Sequence, residues 1–133
     1  MLRQLTKKTR AGFTLVEIMI VVAIIALLAA IAVPGFLRAR KRSQASKILN
    51  DLRLISSAMD QYAIETSKKS GDPIGIDDWT RYLKKATNLE VTGNDLFGNA
   101  YGAQIVDSLP HVDATTRAAL SDVTDAAFWS PYN

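Results

Sequence analysis

From Phe13 to Val33 the chain runs 21 residues with one charge, Glu17, whereas from Ser43 to about Glu65 apolar positions recur at steps of three and four. As a helix the first segment reaches about 31 Å, close to the hydrocarbon thickness of a bilayer. The second segment lines up Ala45, Ile48, Leu52, Ile55, Met59 and Tyr62 on one stripe. Lys47, Asn50, Asp51, Arg53, Asp60 and Gln61 fall on the other face, the pattern of an amphipathic helix. That stripe is expected to pack on a small globular domain. A self-associating coiled coil is the rival reading, weakened because fewer than four heptads are present. Pro34-Gly35 separates the two segments. Proline removes one backbone hydrogen bond and crowds the preceding turn, so a kink is expected there, with a plain helix end as the alternative. A continuous helix from Phe13 to Glu65 would extend roughly 80 Å.

Beyond it, Ser67 to Asp72 reads as turn and loop, which Pro73-Ile74-Gly75 extends. Asp77 or Asp78 is expected to cap a short helix through Trp79, Tyr82 and Leu83, with Lys84 and Lys85 near its C-terminal end. Leu89–Thr92 and Ala100–Val106 read as short strands joined by the turn-rich Gly93-Asn94-Asp95 and Gly98-Asn99, giving a small antiparallel sheet. Ala114 to Val123 is expected to be a short helix capped by Asp113, after which Phe128, Trp129 and Tyr132 fold back onto the domain.

Charge sharpens the picture at the N-terminus. Residues 1 to 12 carry Arg3, Lys7, Lys8 and Arg10 and no acid, which favours retention on the cytoplasmic side of a membrane. An ordinary secretory signal places its small-residue cleavage site after the apolar run, whereas Gly12 stands before it. Cutting at Gly12 would leave the membrane segment attached. It would also take four of the 16 basic residues and none of the 13 acids, leaving 12 against 13 and a net charge of −1. A second basic cluster, Arg38, Arg40, Lys41 and Arg42, follows Pro34. Composition alone would allow it to meet nucleic acid or anionic lipid, but its place suits exit from the bilayer and acidic groups of neighbouring subunits.

The basic leader, Gly12-Phe13-Thr14-Leu15-Val16-Glu17 and the following apolar run resemble the processing and methylation signature of type IV pilins and of type II secretion pseudopilins. The resemblance implies an α+β, pilin-like fold and four regions. These are a leader at 1–12, a membrane and assembly helix at 13–34, its amphipathic continuation at 35–66 and a small globular domain at 67–133. It implies cleavage by prepilin peptidase between Gly12 and Phe13, and N-methylation of Phe13. It also implies an assembly ion pair between Glu17 and the Phe13 amine of a neighbouring subunit. A carboxylate in a membrane helix costs about 2.5 to 3.5 kcal/mol and needs such a cation, unless it lies shallow enough to reach water. Many relatives have a glycine midway along the apolar segment, where this chain has Ala26.

Asp95-Leu96-Phe97-Gly98-Asn99-Ala100-Tyr101-Gly102 is similar to the Asp-Pro-Trp-Gly-Asn-Pro-Tyr segment of major pseudopilins, with Leu96, Phe97 and Ala100 as departures. The expected function is thus a structural subunit of a type II secretion filament, with a surface type IV pilus subunit as the alternative. Expected partners are copies of the chain, prepilin peptidase, minor pseudopilins and the inner-membrane assembly platform, with no nucleic acid. The expected place is the bacterial inner membrane, with the N-terminus cytoplasmic and the C-terminal domain periplasmic. Without cysteine the C-terminal segment must be held by packing or by a metal. Major pseudopilins commonly bind calcium, and Asp95, Asn99, Asp107, Asp113, Asp122 and Asp125 offer oxygens. Their spacing matches no calcium loop, so they are expected to be turn, cap and solvated residues, and no cofactor is assigned. Enzymatic chemistry has little to stand on: His111 is the single histidine, and no phosphate-binding glycine loop is present.

Overall fold

The computed structural model describes residues 11 to 133; most of the leader, including its four basic residues, lies outside the described residues. The elements in chain order are α1 (Leu15–Thr66), β1 (Pro73–Ile74), α2 (Ile76–Thr80), α3 (Asn88–Thr92), β2 (Gln104–Ile105), α4 (Ala114–Ala119) and α5 (Ala126–Trp129). The chain divides into two compact units, one ending at Leu37 and the other running from Arg38 to Asn133.

In the first unit the helix is exposed on every face, with Leu15, Ile25, Leu27 and Ile31 each more than half open. Helical structure is continuous through Pro34, where the missing N–H deprives the Ala30 carbonyl of its partner four residues on.

The second unit is built on the stripe. Ala45, Ile48, Leu52, Ile55, Ala58 and Met59 are all buried, and they serve two adjoining cores. Ala45, Ile48 and Leu52 meet Val112, Leu120 and Trp129 from the C-terminal segment. Ile55, Ala58 and Met59 meet Ile74, Trp79, Leu83, Leu89 and Val106 from the middle of the chain. Tyr101 packs against both. The fold is therefore α+β, with the amphipathic half of α1 as the wall against which everything else is arranged. Asp51 departs from the polar face expected for it: it is buried, near Lys47 and Asp95. Burial pushes its carboxyl above the usual carboxylate range; Lys47 opposes this and Asp95 adds to it.

The sheet is smaller than the sequence suggested. β1 and β2 pair antiparallel with Pro73 opposite Ile105 and Ile74 opposite Gln104, and Val106 N–H adds a bond to the Asp72 carbonyl. Pro73-Ile74, expected as loop, is thus a strand. Of the expected strand at Ala100–Val106 only Gln104–Ile105 remains regular, because Gly102 and Asp107 adopt left-handed backbone on either side. Leu89–Thr92, expected as a strand, is helix. Its alternation of apolar and polar residues loses to end-capping: Thr87 Oγ1 accepts the Glu90 N–H at 3.2 Å, and the Gly93 N–H returns to the Leu89 carbonyl at 2.9 Å. Asp78 also moves one role along. Gly75 is the N-cap of α2, and Asp78 in its first turn accepts the Gly75 N–H at 3.1 Å. Trp79 is fully buried and donates from Nε1 to the Gly102 carbonyl at 3.3 Å.

Gly93 is the tightest point of this packing. Its φ is +65°, and a Cβ there would stand 2.8 Å from Ile76 Cγ2. Gly93→Ala is expected to lower stability by about 2 kcal/mol through left-handed strain plus the clash. Thermal unfolding of the detergent-solubilised protein would show it as a fall in Tm without loss of the membrane segment.

Candidate functional site

Ala11 to Thr14 have no regular structure, and α1 begins at Leu15. Thr14 Oγ1 accepts the Glu17 N–H at 3.2 Å, while Glu17 Oε2 accepts the Thr14 N–H at 2.7 Å. This reciprocal pair is a capping box, and it sets the start of the helix immediately after Phe13. Gly12 is exposed with open space around its α-carbon, and Phe13 is 87% exposed. The expected cut therefore falls in accessible chain without regular structure, one residue before the cap. Glu17 belongs to the first turn, where the helix dipole favours a carboxylate. Ion pairs among the described residues are Lys41–Asp122 and Lys85–Glu90, and neither involves Glu17. The spacing Thr14-x-x-Glu17 is a sequence signal for this cap, which neither an intersubunit ion pair nor a carboxylate reaching water takes into account. Beyond Glu17 an exposed apolar surface continues to Leu37, far larger than a water-facing helix leaves open.

The C-terminal segment closes by a different chemistry. Asp95 is 3% exposed; its Oδ1 accepts the N–H groups of Phe97 at 2.8 Å and Asn99 at 2.9 Å, and its Oδ2 accepts the hydroxyl of fully buried Thr116. Asn99 Nδ2 donates to the same Thr116 hydroxyl at 2.7 Å. A turn of residues 95–99 is thereby fastened to α4. Asp113 caps α4 by accepting the Thr115 N–H, and hydrogen bonding to Thr115 holds its carboxyl below the usual range. Asp125 caps α5 by accepting the Phe128 N–H, Asp122 pairs with Lys41 at 2.8 Å, and Asp107 lies exposed in a turn with φ +63°. The six oxygen-bearing residues are spread over separate caps, turns and pairs, and the Asp95 oxygens are already occupied. Such an arrangement does not fit a calcium cage of six to eight converging oxygens. His111 is exposed.

The family description "Prokaryotic N-terminal methylation motif" matches residues 7–33. Over 124 residues the chain is 34% identical to a type IV major fimbrial protein FimA of Dichelobacter nodosus, a match covering 91% of this chain and 76% of FimA. The chain belongs to the type IV pilin and type II secretion pseudopilin family. Within that family it is also 32% identical to a type II secretion system core protein G of Klebsiella michiganensis, over 47% of this chain and 44% of that protein. It is 44% identical to the type IV major pilin protein PilA of Myxococcus xanthus, over 44% of this chain and 27% of PilA. The chain thus spans less than half the length of those last two relatives in the matched regions. No solved structure matches it. As a pilin-family chain it is a filament subunit with an N-terminal membrane-anchoring helix, and not an enzyme. Its capping box stands where the signature has its glutamate.

Proposed function

We propose that the chain is a subunit of a type II secretion pseudopilus, cut between Gly12 and Phe13, methylated on the Phe13 amine and polymerised through the apolar half of α1. The observation that carries the filament reading is the wholly exposed apolar helix, whose one charge lies in its first turn beside the future N-terminus. In a bilayer or a bundle of like helices that surface is covered; in water it is not. A freed Phe13 amine supplies the cation that Glu17 of another copy lacks, and methylation keeps its charge. Pro34, which removes one backbone hydrogen bond from the helix, is the expected kink site. Prepilin peptidase, minor pseudopilins and the inner-membrane platform follow as partners, with the globular unit on the periplasmic face.

The secretion reading rests on the Asp95–Asn99 turn, since Asp95 and Asn99, two of the residues that make it similar to major pseudopilins, are also the two that fasten α4. A surface type IV pilus is the second reading, favoured by the match to FimA over 91% of the chain. Deleting the subunit in its own host separates them. Exported enzymes retained in the periplasm support the pseudopilus, whereas normal export with loss of surface filaments supports the pilus. Intact mass spectrometry of the membrane-extracted protein tests the maturation itself. Loss of residues 1–12 with one added methyl is expected, and a full-length unmethylated chain would defeat the filament reading.

A further inference from the structure

Arg38, Arg40, Lys41 and Arg42 stand within five positions, and no Asp or Glu occurs between Glu17 and Asp51. Lys41 is half-buried and held by Asp122, whose carboxyl is pushed below its usual range first by that hydrogen bond and, to a lesser degree, by Arg38. Arg38, Arg40 and Arg42 are exposed, and none forms an ion pair among the described residues. Arg42 borders a shallow depression with Asp122 and Asp125, but Asp125 is engaged in capping α5. Counting both acids against the four bases still leaves a local charge of +2.

On the basis of the membrane-anchor reading, we infer that Arg38, Arg40 and Arg42 form a collar that binds the phosphates of anionic lipids where the helix leaves the bilayer. Three physical points favour lipid over a protein partner. Residues four apart share a helix face and residues two apart lie about 200° around it, so Arg38 and Arg42 point one way and Arg40 the other. A protein docking from one side meets one face, whereas a plane of headgroups surrounds the helix. The three arginines span about 6 Å of helix, the thickness of one headgroup layer, which is roughly 5 to 7 Å. Arg38 follows Val33, the end of the apolar run before Pro34, by five residues, so covalent reach keeps it within about 17 Å of that run even if fully extended, and about 7.5 Å if helical. The guanidinium fork also matches phosphate oxygens two at a time.

The test is spin-label EPR on the full chain reconstituted in phosphatidylcholine bilayers, with trace spin-labelled phosphatidylglycerol or phosphatidylcholine. The wild type is expected to favour the phosphatidylglycerol label by about fivefold or more, as cations beside an anionic surface do. The triple variant Arg38→Gln, Arg40→Gln, Arg42→Gln should lower that preference at least about threefold, the leader's cations being a constant background in both. Lys69→Gln, exposed and away from the collar, should leave it unchanged. An equal preference in the triple variant and wild type overturns the collar. So does a wild type without preference. Carbonate extraction of the same vesicles separates the two readings: a wild-type chain that washes out defeats membrane anchoring, and the collar with it, whereas an inserted chain without lipid preference defeats the collar alone. Cross-linked dimers in phosphatidylcholine that vanish in the triple variant, with no lipid preference in the wild type, would instead assign the arginines to carboxylates of a second copy.

Discussion

Glu17→Gln is expected to leave leader removal and membrane insertion intact and to lower filament yield about 100-fold. The variant isolates charge from shape. A glutamine carbonyl accepts the Thr14 N–H as the carboxylate does, so the 2.7 Å half of the capping box survives and the helix still starts at Leu15. What disappears is the negative charge that would meet the Phe13 amine of the next subunit. The expected magnitude follows from the roughly 2.5 to 3.5 kcal/mol that a carboxylate costs within a membrane helix, the penalty that pairing has to offset for Glu17 to be tolerated there. Lost from each subunit addition, an energy of that size is about a hundredfold in equilibrium. Glu17→Val should assemble as poorly and also lose the cap, visible as fraying of the first turn. Sedimented filament mass per unit of processed subunit is the measurement. A wild-type yield from Glu17→Gln would reduce Glu17 to a helix cap and remove the ion-pair argument, whatever Glu17→Val does.

Asp95→Ala should destabilise the globular unit by about 3 kcal/mol, lowering Tm by roughly 10 °C or more. Three donors converge on this buried carboxylate: the Thr116 hydroxyl and the N–H groups of Phe97 and Asn99. Hydrogen bonds to a charged acceptor contribute about 1.5 to 3 kcal/mol each, and stranding buried donors costs more than replacing both partners would. The bond from Asn99 Nδ2 to the Thr116 oxygen remains, but the Thr116 hydroxyl hydrogen is left without its acceptor. Asp95→Asn should be milder: its carbonyl keeps the two backbone donors, but its amide then competes with Asn99 for the one Thr116 oxygen. Thermal unfolding of both variants decides the matter, and a cost below about 1 kcal/mol for Asp95→Ala would mean that the C-terminal segment is held by apolar packing alone. That packing is substantial. Trp129 is 1% exposed, meets Phe128 edge-to-face at 5.0 Å, and shares a core with Ile48, Leu52 and Leu120.

These two residues show where sequence reasoning reached and where it stopped. Glu17 was conspicuous because a lone charge in 21 residues has nowhere to hide, and the stripe from Ala45 to Met59 was legible because burial on one helix face imposes its own period. Both signals are local and repeat along the chain. The cap at Asp113 was readable because capping acts between near neighbours, whereas the apolar end at Phe128, Trp129 and Tyr132 marked a segment that needs burial without naming its partners. Leu89–Thr92 was misread because four residues hold too few repeats to separate alternation from a helical turn. The decision passed to Thr87 at one end and to Gly93, packed under Ile76, at the other.

Asp51 and Asp95 were beyond reach for a further reason. An aspartate in isolation prefers water, and only the arrival of Thr116 from 21 residues away makes burial of Asp95 affordable. The sequence by itself determined the long apolar helix, the place of its one charge at Glu17 and the packing face of α1, because hydrophobic periodicity and charge act between near neighbours. Tertiary structure alone decided which acids are buried and which merely cap, how little sheet forms, and what fastens a cysteine-free C-terminal segment. Those outcomes depend on donors and apolar surfaces that become neighbours only when the chain folds back on α1.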